Sequence, residues 1–189
     1  MNRLCRFSNM TKDYLSTFYC ILDEMIRNMT EADLTDSISH NFIVQMIPHH
    51  RAAIEMSGNL LKYTTNQSLQ DIASQIIMEQ TKSIENMQNI KCTCGEVRNS
   101  RQDLCRYQCR VDQIMQTMFS ELRCARAINR INCDFMWEMI PHHKGAVAMA
   151  TNALQFDICP ALKPILQRII TSQQKGIVQM QDFLQGMGC

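Results

Sequence analysis

Apolar side chains recur at three-to-four spacing along almost the whole chain, the pattern of helices packed on one another. Leu15, Phe18, Leu22, Met25 and Met29 share one face and predict a first helix over residues 9–29. Thr30-Glu-Ala-Asp breaks it, and Thr35, Asp36 and Ser37 are candidate N-caps for a second helix over 37–63. On that helix Phe42, Met46, His49, Ala53, Met56 and Leu60 form one stripe. Ile43, Ile47, His50, Ile54 and Leu61 form another, about 100° round. Gln45, Pro48, Arg51, Glu55, Asn59 and Lys62 are expected to face away from both. A turn at 66–68 leads to a third helix over 68–91, with Leu69, Ala73, Ile76, Gln80, Ile84 and Met87 on its buried stripe.

The pattern then returns. FIVQMIPHHRAAIEMSGNLL, residues 42–61, reappears as FMWEMIPHHKGAVAMATNAL, residues 135–154, after a gapless shift of 93 positions. The second copy predicts helices over 103–128 and 132–156, and a last one starting near Pro160 and Pro164 and ending near Gly186. Its glutamine stripe is Leu162, Leu166, Ile169, Gln173, Ile177 and Met180. The repeats, about 9–91 and 102–186, are joined by a cysteine-containing linker at 91–100. One half has little against which to bury a double apolar stripe. Residues 1–189 are therefore expected to form a single all-α domain of six helices: two tandem three-helix repeats around a four-helix bundle.

Composition supports helices. Six glycines and four prolines are few for a β-rich chain, and 46% hydrophobic residues suffice for a core. A formal charge of +1 gives no general attraction to nucleic acid. No apolar run approaches the roughly 20 residues of a membrane span. The opening residues show no secretory leader, which predicts the cytoplasm, or an extracytoplasmic site if a leader has been removed. A cytoplasmic chain keeps its thiols reduced.

Four of the five histidines lie in the doubled Met-Ile-Pro-His-His. Pro48 is expected to kink its helix where the histidines begin. Thioether sulfur with imidazole nitrogen suits a soft ion, Cu(I) above all, with Cu(II) or Zn(II) reachable through the imidazoles. The candidate metal ligands are Met46, His49, His50, Met56 and Met87, with their counterparts Met139, His142, His143, Met149 and Met180. They could make two sites or converge on one. Gln80 and Gln173, polar members of buried stripes, are expected to hydrogen-bond a histidine from behind. Methionine also fills cores without binding anything, and a buried histidine is usually only hydrogen-bonded. Burying four imidazoles, however, has no packing advantage over leucine.

Other chemistries lack their signatures. Di-iron bundles carry Glu-x-x-His, whereas Met46, Ile47, Met139 and Ile140 stand three residues before the histidines. There is no His-Glu-x-x-His, Gly-rich phosphate loop or Gly-x-Ser-x-Gly elbow. None of the ten cysteines has a cysteine counterpart in the other half. Cys92, Cys94, Cys105 and Cys109 gather near the linker and form a candidate four-thiolate Zn(II) or Cu(I) site, against plain thiols or disulfides.

The doubled Met-Ile-Pro-His-His, the Ala-x-x-Met downstream and the later Gln and Met resemble the family catalogued as domain of unknown function 305, over about residues 41–184. The resemblance implies a ferritin-like helical bundle, with copper binding and copper resistance in some members, often outside the cytoplasm. It points to Met46, His49, His50, Met56, Met139, His142, His143 and Met149, with Gln80, Met87, Gln173 and Met180 matching the later part. The chain departs from the family pattern at Asn41, at Ala52 where the second copy has Gly145, and at Ser83 and Gly176 where a Glu is expected. The function expected is non-enzymatic binding or sequestration of a copper-type ion, with homo-oligomerisation left open. The alternatives are a helical scaffold with a structural His–Gln network and, less well supported, an enzyme with an unrecognised metal centre.

Overall fold

The computed structural model describes residues 7–189, so part of the opening stretch read for a leader lies outside the described residues. Six helices follow in order: α1 (Asn9–Thr30), α2 (Ile38–Leu61), α3 (Gln67–Gly95), α4 (Arg101–Arg123), α5 (Ile131–Ala153) and α6 (Lys163–Gly186). Side chains fix most starts: Ser8, Ser37, Asn66 and Ser100 each accept a hydrogen bond from a first-turn amide. A proline opens α6. Both histidine helices continue through their internal prolines, Pro48 and Pro141.

α2 packs on α3 and α5 packs on α6, while α2 meets α5 and α3 meets α6. These four make the bundle; α1 lies against α2, α4 lies against α5, and α1 touches α4. The repeat appears as matched contacts. Asn59 donates to the Tyr14 carbonyl at 3.0 Å, and its counterpart Asn152 to that of Tyr107 at 3.2 Å. Tyr14 meets Tyr63 edge-on at 5.9 Å, and Tyr107 meets Phe156 at 5.7 Å. Thr35 donates its amide to Asn41 at 2.8 Å, and Ile128 to Asp134 at 2.9 Å.

Three expectations need correction. Gln45 and Asn59 do not face away; both are buried, bonded to the Met29 and Tyr14 carbonyls of α1. α2 has neighbours on three sides, so its third face is covered too. The linker is shorter than predicted, because α3 runs on to Gly95. The four-thiolate site does not form: Cys94 is buried in a disulfide with Cys159, while Cys92, Cys105 and Cys109 are separate exposed thiols. A second disulfide, Cys133–Cys189, ties the end of the chain to the start of α5. No described helix is long and apolar enough to cross a membrane.

Candidate metal centre

The doubled pentapeptide sets its histidines at the middle of the α2–α5 contact. His49 and His142 are fully buried and stack with ring centroids 3.7 Å apart. Each ring donates to the other's backbone: His49 Nε2 to the His142 carbonyl at 3.2 Å, and His142 Nε2 to the His49 carbonyl at 3.1 Å. A carbonyl can only accept, so the proton of each neutral ring sits on Nε2 and the lone pair on Nδ1. Neither Nδ1 has a partner.

His50 and His143, one residue further on, turn about 100° toward α3 and α6. His50 Nε2 meets the Ser83 hydroxyl at 3.0 Å. His143 forms no hydrogen bond through either nitrogen. Both rings line a cavity of about 320 Å³ between α3 and α6, with Gln80, Gln173, Ser83 and Arg168 among its other walls. The Nδ1 atoms of His50 and His143 are buried and unpartnered as well.

Burial keeps these rings uncharged. Desolvation, then the neighbouring histidines, holds His49 and His142 well below the ordinary value of 6.5. Desolvation first, then His142 and His143, lowers His50 to about 3; desolvation alone lowers His143 to about 4. At neutral pH the four imidazoles therefore offer lone pairs without proton competition. A buried polar nitrogen without a partner is costly, and the Nδ1 lone pairs of His49 and His142 are free for a ligand that accepts them. The donor set of this chain thus suits a metal ion bound through imidazole. Among the described residues no group of three or more His, Cys, Asp and Glu gathers, so such a site would draw on other donors.

Met46, Met56, Met87, Met139, Met149 and Met180 are all buried in the same core. Gln80 and Gln173 are buried as expected and line the cavity, but neither bonds a histidine. Their Oε1 atoms have no partner; Ser83 meets His50 instead of Gln80, and His143 stays unbonded beside Gln173.

The sequence reading missed Glu138. It is buried in α5 and accepts the Tyr14 hydroxyl at 2.5 Å. Burial, and to a lesser extent Asp134, pushes its carboxyl well above 4.5, while the Tyr14 bond pulls the other way. The available signal was its position: it is the counterpart of Gln45 in an otherwise apolar stretch.

A family model described as "Domain of unknown function (DUF305)" matches residues 39–184. A solved structure of CopM in its Cu(I)-bound form is 25% identical, covering 82% of this chain and 99% of that one at a TM-score of 0.59. CopM in an Ag-bound form is also 25% identical, with 80% and 98% covered and a TM-score of 0.60. A DUF305 fragment from Deinococcus radiodurans is 19% identical, with 78% and 95% covered and a TM-score of 0.57, and shares the fold. No curated protein matches the chain.

Proposed function

The chain belongs to the DUF305 family, and on that premise we propose that it binds and sequesters a soft metal ion of the copper class, without catalysis. The observation that carries the reading is the set of four buried, neutral imidazoles at the α2–α5 crossing, each with at least one unpartnered ring nitrogen. His49, His50, His142 and His143 would supply nitrogen, and Met46, Met139 and the other core methionines sulfur, a mixture that favours Cu(I) over harder cations. CopM, similar over most of this chain, has been solved with Cu(I) and with Ag. Zn(II) ranks second, since it uses the imidazoles but gains little from thioethers.

The two disulfides favour an oxidising compartment over the cytoplasm. A second reading has one specific support: the reciprocal His49–His142 bonds already join α2 to α5 without an ion. On that reading the pair is structural.

Anaerobic Cu(I) titration against a chromophoric competitor separates the two. Tight uptake by the wild type, lost in His49→Ala/His142→Ala and in His50→Ala/His143→Ala, supports metal binding. Equal weak uptake by all three proteins refutes it. Circular dichroism of each variant controls for folding.

A further inference from the structure

The two repeats differ at the residue that faces the second histidine of each pair. In the first, Ser83 places its hydroxyl 3.0 Å from His50 Nε2. In the second, the counterpart is Gly176, and a Cβ built there would lie 3.1 Å from His143 Cδ2 and 3.2 Å from Nε2. That glycine removes the competing hydroxyl and clears the edge of the ring. His143 is buried, makes no hydrogen bond, and lines the α3–α6 cavity.

We propose that the halves are not equivalent toward the ion: His143 Nε2 is the open coordination position, kept open by Gly176, while Ser83 closes the matching position on His50. This rests on the metal-binding reading above and specifies which imidazole an arriving soft or borderline cation meets. The cavity is the path. Gln80 and Gln173 stand among its wall residues, their Oε1 atoms buried and unpartnered. Its charged lining residues are Glu79, Lys82 and Arg168, with Lys82 paired to Glu85 at 3.1 Å. To coordinate there, the His50 nitrogen must first surrender its Ser83 bond. His143 surrenders nothing.

The test follows the ring nitrogens by long-range proton–nitrogen NMR on 15N-histidine protein, as Ag(I) or anaerobic Cu(I) is added to wild type, Ser83→Ala, Gly176→Ser and Gly176→Ala. In the wild type, His143 Nε2 should shift at the first equivalent while His50 Nε2 keeps its position. Gly176→Ser should weaken the first binding step by about tenfold or more, the scale of changes beside a ligating histidine. Gly176→Ala, which adds bulk without a hydroxyl, should also weaken it. Ser83→Ala should bring His50 Nε2 into the response. Thermal unfolding without ion identifies any variant that fails to fold, and the wild-type spectra carry the test without the variants. Wild-type binding with His50 shifting first, or with both rings shifting equally, overturns the asymmetry and leaves metal binding standing. Undiminished affinity in both folded Gly176 variants does the same. Absence of any ion-induced shift in the wild type refutes this inference and the metal-binding reading together.

Discussion

Tyr14 of α1 donates its hydroxyl to Glu138 of α5 at 2.5 Å, joining the first repeat to the second inside the core. At the related positions Tyr107 and Gln45 keep a hydroxyl and an amide oxygen without partners. The buried pair is thus made once, where the carboxyl stands. Burial raises the Tyr14 hydroxyl well above 10.0 and Glu138 well above 4.5, favouring the protonated form of each. Tyr14→Phe leaves the carboxyl without its donor and should cost about 1–3 kcal/mol in urea unfolding at pH 6. Glu138→Gln keeps a neutral acceptor of similar shape and should cost less. A Tyr14→Phe loss below the error of the measurement would show the bond to be unimportant.

The histidines set how stability responds to acid. Each folded value lies below 6.5, with His143 at about 4 and His50 at about 3, so the unfolded chain binds more protons. Their contribution is complete above 6.5 and falls as pH drops toward 4 and then 3. The slope is about 1.4 kcal/mol per pH unit for each fully titrating ring. Glu138 acts in the opposite sense: its raised folded value contributes stability below 4.5 that is lost as pH rises through that value. Between 4.5 and 6.5 the two trends oppose, with four buried rings against Glu138 and the smaller upward shifts of the partly exposed Glu55 and Asp134. Stability should therefore rise with pH across this range, and more steeply in Glu138→Gln. Denaturant unfolding at half-unit pH steps checks both slopes; a flat wild-type profile would mean the rings are not held neutral by burial.

The helices and the duplication were legible because both are periodic: the apolar spacing of Leu15 to Met29 and of Leu69 to Met87 is regular, and the pentapeptide recurs without a gap. What was hidden depends on neighbours that spacing does not reveal. Gln45 and Asn59 look solvent-facing until α1 covers the third side of α2. Gln80 and Gln173 were rightly placed inward, but Ser83 meets His50, the backbone carbonyls hold His49 and His142, and His143 stays unbonded, pairings that spacing does not show. Glu138 stood out only as a single difference between copies, which periodicity alone does not weigh. The cysteine pairing was illegible for a related reason: no bridge has a counterpart in the other half.

Those bridges give a chemical prediction. Cys94–Cys159 and Cys133–Cys189 span 65 and 56 residues, so each should restrict the unfolded chain and stabilise by about 2–4 kcal/mol. Alkylation of the native protein followed by non-reducing peptide mapping should find these two linkages intact. Cys20, Cys92, Cys105, Cys109 and Cys124, all exposed, should be modified. Cys94→Ser/Cys159→Ser should lower the unfolding midpoint without changing the helical signal. Bridges pairing different cysteines, or all thiols alkylatable in protein prepared under oxidising conditions, would contradict the structure and remove the argument for an oxidising compartment.

α4 approaches α5 closely at Gly145. A Cβ built on Gly145 would overlap the Met118 Sδ and lie 3.0 Å from its Cγ, closer than carbon and sulfur can pack. At the same position in the first repeat Ala52 is accommodated against α1, where Met25 is the counterpart of Met118. The two helix pairs are therefore not interchangeable despite their common pattern. Gly145→Ala should destabilise by about 1–3 kcal/mol through overpacking, even though alanine is the better helix former. Met118 is flexible, so shortening it should relieve the clash: Gly145→Ala/Met118→Ala should recover part of the loss relative to the sum of the single changes. A double-mutant cycle in urea measures that coupling. Additive losses would show that the methionine end simply moves aside and that Gly145 is not required for the α4–α5 contact.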